Sequence, residues 1–280
     1  MKYFCVSDVH SFFDELTTAL DNAGFDKDNP EHVLCVLGDL FDRGKKSVQL
    51  FEYVKELHSK NRLIYILGNH EDLLSQCAQE ISSGYIPSSH HFSNGTVRTI
   101  CQFCGEDERI LYDPTWRDKI YHKLKPILDF IYSVGVNYAE IGDTILVHGW
   151  IPEMINPDDK TSSYYYSGLE NSGGIYNKNW RDADLEDWRG ARWLNGMNQW
   201  KQGIVEPGKT IICGHWHCSW GWSHIRKERK EWPQKNRKDW QKSFEPFVDD
   251  GIVAIDAATV YSNKINVFVI ENKEIYDGEC

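Results

Sequence analysis

Short apolar runs, each broken off by a glycine or a polar residue, recur along the chain: Tyr3 to Val6, Val33 to Leu37, Leu63 to Leu67, Ile145 to Val147 and Ile211 to Cys213. Runs of this length, rich in β-branched residues, predict buried strands. Between the first three runs, Phe12 to Ala23 and Ser47 to Leu57 carry apolar residues at helical spacing. The alternation predicts a βαβ unit and the start of a parallel sheet. Gly251 to Asp256 and Lys264 to Ile270 read as closing strands of a second sheet. The segment from about residue 76 to about 135 reads as a mainly helical, cap-like insertion. Helices are expected over Asp72 to Ser82 and Pro114 to Phe130, joined by an extended polar stretch from Ser88 to Thr96.

The polar residues at the end of each of the five runs carry the chemistry. They are Ser7-Asp8-Val9-His10, Gly38-Asp39-Leu40-Phe41-Asp42-Arg43-Gly44, Gly68-Asn69-His70-Glu71, Val147-His148-Gly149 and Gly214-His215-Trp216-His217. Carboxyl ends of strands in an open α/β sheet form the crevice where ligands bind, so residues from distant parts of the chain can meet there. Asp8 and His10, like His215 and His217, are two apart, and in an extended segment such a pair projects to one face. A mixed set of carboxylate, amide and imidazole donors suits Mn, Fe or Zn better than Ca or Mg. Buried carboxylates without a cation would be costly. Two ions about 3.5–4 Å apart can activate one water and clamp both oxygens of an in-line displacement at phosphorus. Arg43 offers a planar fork to two phosphate oxygens, and His70 is suited to protonate a leaving group.

These motifs resemble those of the calcineurin-like metallophosphoesterases and, within them, the phosphoprotein phosphatase branch, most closely its bacterial and phage serine/threonine phosphatase-like forms. The resemblance runs from Asp8 to His217. It implies an α/β fold, a β-sandwich of two mixed sheets flanked by helices, and a dinuclear centre, with Mn the first expectation. Asp8, His10 and His217 would hold one ion, Asn69, His148 and His215 the other, and Asp39 would bridge them. His70 would be the general acid, oriented by Asp42, with Glu71 as a supporting neighbour. Arg43 and Asn69 would hold the phosphate. A second phosphate-binding arginine is expected among Arg181, Arg189 and Arg192, with Arg192 preferred. Asn94-Gly95-Thr96-Val97-Arg98-Thr99 is similar to a substrate-side loop of the family, and Asp256 to an Asp behind the metals. Two departures stand out: Leu67 occupies a position where eukaryotic members carry an Arg, and Trp150 comes directly after His148-Gly149, where it is expected to stand near the metals and narrow the pocket or stack on a planar group.

The implied activity is phosphomonoester hydrolysis by attack of a water shared between the ions, on phosphorylated protein or small phosphoesters. A symmetrical diadenosine tetraphosphatase is the alternative, and a catalytically silent binding module the alternative of another class. The 280 residues, 41% hydrophobic and 26% charged, fit one globular unit, since ligands from positions 8 to 217 must share a site. A net charge of −11 argues against broad binding to nucleic acid or anionic membrane. No apolar run approaches membrane-spanning length, and a cytoplasmic location with reduced thiols is expected. Cys101 and Cys104 have zinc-like spacing without a partner pair. His90 and His91 are not expected in the site. Nine of the eleven tryptophans fall between Trp180 and Trp240, and residues 226–242 are basic within an acidic chain; such a run reads as a solvated face.

Overall fold

Side-chain parity along the strands sorts the apolar residues into three separate cores. In the computed structural model, which describes residues 1–155, 174–226 and 244–271, strands β1 (Lys2–Val6), β2 (His32–Leu37), β3 (Leu63–Ile66), β4 (Ala139–Ile141), β5 (Thr144–Leu146), β6 (Glu153–Ile155), β7 (Gly174–Tyr176), β8 (Thr210–Cys213), β9 (Phe247–Asp249), β10 (Ile252–Ala254) and β11 (Phe268–Glu271) form two mixed sheets and a hairpin. The first sheet has the order β11-β1-β2-β3 and the second β4-β5-β8-β10-β9, while β6 and β7 pair with each other. Within each sheet the central strands are parallel; β11 runs antiparallel to β1, and β4 and β9 run antiparallel to their neighbours. Successive residues of a strand point to opposite faces. Tyr3, Cys5, Val33, Cys35 and Leu37 accordingly meet Leu146, Ile212 and Val253 between the sheets. Phe4, Val6, Leu34 and Val36 face outward on one side, and Ile145, Ile211, Cys213 and Ile252 on the other.

Helices cover both outer faces. On the first sheet lie α1 (Phe13–Asn22), α2 (Ser47–Ser59), α3 (Asn69–Ser82), α4 (Ser89–Asn94), α5 (Thr96–Cys104) and α6 (Arg117–Val134), and their apolar residues Leu16, Leu50, Leu74, Ile100 and Leu124 share one core with its outward side chains. The second sheet is covered by α7 (Leu185–Ala191) and α8 (Gly196–Lys201), with Trp150, Trp180 and Trp188 filling the space. Two single-turn helices are α9 (Cys218–Gly221) and α10 (Thr259–Ser262). The expected two-sheet α/β fold is present. Three details differ from the expectations of the sequence. The last strand closes the first sheet, because β11 hydrogen-bonds to the edge of β1 rather than to β10. The stretch expected to be extended from Ser88 to Thr96 is helical, with Gly95 (φ +89) ending α4 and starting α5. Finally, α3 begins at Asn69, so the third motif is a helix N-terminus.

Candidate active site

The five motifs converge through strained turns. Asp8 (φ 50), His10 (48), Ser11 (60), Asp39 (52), Asp42 (77), Arg43 (58) and His215 (63) all occupy the left-handed region. A non-glycine residue there costs about 1–3 kcal/mol and persists only where its surroundings enforce it. The expectation that Asp8 and His10 share a face because they lie on an extended segment is therefore corrected: turns, not strand parity, aim these side chains. Contacts between motifs hold the turns. Glu71, buried at the start of α3, accepts the backbone N–H groups of Gly68 (2.6 Å), Asp39 (3.0 Å) and Leu40 (2.9 Å). It joins the second motif to the third. Gly38 (φ +76) lies under the His148 ring so closely that a Cβ there would collide with it.

Asp39 stands at the centre. Its Oδ1 lies 3.3 Å from His148 Nε2, and its Oδ2 lies 3.7 Å from His10 Nε2 and 3.8 Å from His70 Nε2. Asp8 Oδ1 is 3.9 Å from His10 Nε2, and Asp8 Oδ2 accepts the backbone N–H of His215 at 2.8 Å. Asn69 Oδ1 sits 2.9 Å from His148 Nε2. Two groups that could hold a metal ion result, His10 with Asp39 and His70, and Asp39 with His148 and His215. His217 lies outside both groups, and the Asp256 carboxyl acts on Asp8.

The donor set fits cations. Backbone carbonyls of Phe41 and Leu37 face Nδ1 of His10 and His148, each at 2.8 Å. This fixes the proton on Nδ1 and leaves the Nε2 lone pair free. In His215 the Trp193 carbonyl faces Nε2 at 3.1 Å, so Nδ1 is the free donor. Burial pushes the His148 imidazole down to about 3, so at neutral pH its Nε2 lone pair points at two further acceptor oxygens, Asn69 Oδ1 and Asp39 Oδ1. Acceptors so close repel one another unless a cation lies among them. Burial, reinforced by Asp256, raises Asp8 well above the usual carboxylate range, and burial with Asp8 and Glu71 does the same to Asp39. His10 and His215 are driven well below theirs by burial and by neighbouring imidazoles.

Beside this cluster, His70 Nδ1 hydrogen-bonds Asp42 Oδ2 at 2.6 Å, and Arg43 Nη2 lies 3.4 Å from His70 Nε2. Thr96 and Thr99, on α5, donate their hydroxyls to the same carboxylate, each at 2.8 Å. The motif containing both resembles a substrate-side loop in sequence. Two hydroxyls three residues apart on the buried side of an amphipathic helix are the signal for their actual contact. Of the three candidate arginines, Arg181 is bound to Glu140 and Glu206, and Arg189 to Glu186. Arg192 is buried, with Nη1 2.6 Å from Asp72 and Nη2 2.8 Å from Asn137, and its charge acts on His148.

Trp150 does not line the site. It is buried in the second sheet's outer core and donates its indole N–H to the Ile204 carbonyl at 2.8 Å, as an indole must when it packs inside. Among the described residues, exposed rings near the centre include Trp193, 37% exposed and edge-on to His215 at 5.7 Å, and Tyr261, 70% exposed and 6.3 Å from His217. Leu67 is a core residue against Gly135. Burial pushes the Cys101 and Cys104 thiols to about 12 and about 11, which disfavours a zinc thiolate. His91 is buried beside Glu80, away from both groups. Residues 227–242 of the basic stretch lie outside the described residues.

Residues 1–219 match the family model of the calcineurin-like phosphoesterases. The chain belongs to that family. A bis(5′-nucleosyl)-tetraphosphatase PrpE (asymmetrical) of Halalkalibacterium halodurans is 25% identical over 177 residues, 56% of this chain and 69% of that protein. A symmetrical bis(5′-nucleosyl)-tetraphosphatase of Aromatoleum aromaticum is 24% identical over 252 residues, 77% and 83% of the two chains. The PrpE of Bacillus subtilis is 37% identical over 76 residues, a match covering 25% of this chain and only 31% of that protein. Membership bears out the enzyme class expected from the motifs, a metal-dependent phosphoester hydrolase. Among the described residues no helix is long and apolar enough to cross a membrane.

Proposed function

We propose that the chain hydrolyses dinucleoside polyphosphates at a dinuclear centre, with His70 as the proton donor. The observation that carries the reading is the His70–Asp42 pair, 2.6 Å apart, set beside an aspartate whose two oxygens face two ligand groups. In this reading Asp8, His10 and Asp39, with His217 nearby, hold one ion, and Asp39, Asn69, His148 and His215 hold the other. Two divalent ions, for which Mn is our choice, would supply Lewis acidity at the phosphoryl oxygens and a water acidified towards neutrality. Asp42 holds the His70 ring through Nδ1, leaving Nε2 to deliver a proton to the leaving oxygen. Arg43, partly exposed beside His70, grips the phosphate, and Asn69 contributes from the start of α3. Arg192, clamped by Asp72 and Asn137, supports the phosphate site through its charge.

The names of the curated relatives favour a dinucleoside tetraphosphate over a phosphoprotein. So do Leu67, buried where a phosphate-contacting arginine would otherwise stand, and the exposed rings of Trp193 and Tyr261, which offer stacking faces to a base. The test is turnover with Mn²⁺ of diadenosine tetraphosphate, a phosphoserine peptide and p-nitrophenyl phosphate. We expect the dinucleotide to be cleaved fastest. His70→Asn should lower kcat on the phosphoserine peptide, whose alkoxide leaving group must be protonated, by about 10²–10⁴-fold and should cost less on diadenosine tetraphosphate and p-nitrophenyl phosphate, whose leaving groups need little protonation. Preference for the phosphopeptide would make the protein a phosphomonoesterase, and no metal-dependent turnover of any of the three would leave a binding module.

A further inference from the structure

We propose that α5 is a positioning clamp for the proton donor, with Thr96 and Thr99 setting the orientation of His70 through Asp42. This rests on the assignment of His70 as general acid. Asp42 is fully buried, and a carboxylate out of water must find donors for its lone pairs. It has three. Thr99 donates to Oδ1 and Thr96 to Oδ2, each at 2.8 Å, and His70 Nδ1 shares Oδ2 at 2.6 Å. Both threonines are buried.

The direction of the Thr99 hydrogen is dictated by the backbone. The N–H of Asp42 donates to Thr99 Oγ1 at 3.0 Å, so that oxygen is an acceptor there and its single hydrogen goes to Oδ1. One hydroxyl thus fixes both the main chain and the side chain of Asp42. The main chain needs fixing, because Asp42 and Arg43 both lie in the left-handed region (φ 77 and 58). The same helix holds the rest of the turn. Arg98 Nη1 donates to the Arg43 carbonyl at 2.9 Å, Gln102 Nε2 to the Gly44 carbonyl at 3.1 Å, and Gln102 Oε1 accepts the Ser47 N–H at 2.9 Å. Gly95 lies so close to the Arg43 backbone that a Cβ there would overlap it. Without the two hydroxyls, only the His70 contact itself holds the carboxylate against rotation about its Cβ–Cγ bond.

Misplacing the acid hurts only the step that needs it. The experiment uses the full chain loaded with Mn²⁺ and compares Thr99→Val, Thr96→Val and Thr99→Ser with wild type and His70→Asn on an alkyl phosphate and on p-nitrophenyl phosphate. We expect each valine variant to lower kcat on the alkyl ester about tenfold more than on the aryl ester, with metal content unchanged by elemental analysis. Thr99→Ser, which keeps the hydroxyl, should restore most of the difference. An equal loss on both esters, or none, overturns the clamp while leaving the acid in place if His70→Asn still discriminates between them. If His70→Asn does not discriminate, the acid assignment itself fails; a crystal structure of Thr99→Val then decides the clamp by whether the Asp42 carboxylate has turned. Should Thr99→Val not fold, Thr96→Val, which spares the backbone contact, gives the same reading.

Discussion

At the scale of single residues, the candidate centre is a set of groups whose protonation states oppose one another without cations, and this has a signed consequence. In the metal-free chain Asp8 and Asp39 are raised well above the usual carboxylate range, first by burial and then by neighbouring carboxylates. A raised folded-state value means that folding favours the protonated acid. That contribution is full below the unfolded value near ~4 and is lost as pH rises through the raised one. His148, pushed down to about 3, has the opposite sign: its contribution is full above ~6.5 and lost as pH falls towards the depressed value. A cation replaces the protons on the carboxylates. Addition of Mn²⁺ to chelator-stripped protein should therefore raise Tm more at pH 8 than at pH 6, and a larger gain at pH 6 would contradict this account. A second expectation concerns Trp193 and Tyr261. Stacking of a base on an aromatic ring contributes about 1–3 kcal/mol, so Trp193→Ala should raise KM for diadenosine tetraphosphate about tenfold relative to KM for glycerol phosphate, read from parallel steady-state assays. The motif residues are legible one by one in the sequence, because Asp, Asn and His after an apolar run have few structural uses in such numbers. Trp150 escapes that reading for a physical reason. Its neighbour in sequence, Gly149, belongs to the site, but the chain turns there and sends the indole into the core against Gly196.

Elements explain why some placements cannot be read from the sequence. β1, β2, β3, β5 and β8 are recoverable because each is a continuous apolar run. β11 is recognisable as a strand, yet its partner is not, since pairing with β1 across the length of the chain leaves no local mark. α5 is hidden by Asn94-Gly95, a turn signal by composition that here serves as the C-terminus of one helix and the entry to the next. On the other side of the site, the end of α7 packs closely on Gly149, the residue after His148. A Cβ at position 149 would run into the carbonyl oxygens of Ala191 and Arg192. Gly149→Ala should accordingly displace the end of α7 and destabilise the fold by about 1–3 kcal/mol, the usual range for overpacking, measurable as a lower urea midpoint. It should also weaken turnover, because Arg192 would lose its alignment with Asp72 and Asn137.

For the molecule as a whole, the two sheets face each other across an apolar core of Tyr3, Cys5, Leu37, Ile212 and Val253, and the carboxyl ends of their strands bring the polar groups of the site together. Asp8, His10, Asp39 and Asn69 come after strands of the first sheet, and His148 and His215 after strands of the second. Cations bound among them would tie the sheets together where the apolar core ends. Ligand binding to the folded state stabilises by RT ln(1 + [L]/Kd), about 2.7 kcal/mol at a concentration a hundred times Kd. Stripping the metal should thus lower the unfolding free energy by about that much. The loss should be felt on both sides of the interface, as faster amide exchange at Asp8 to Ser11 and at Gly214 to His217 alike. His148→Ala, which removes a ligand supplied by the second sheet, should abolish most of the metal-dependent gain even though the first sheet's own ligands are intact. Were the metal to protect only the first sheet's turns, or were His148→Ala to keep the full gain, the centre would belong to one sheet, and the joining of the two halves by shared cations would be wrong.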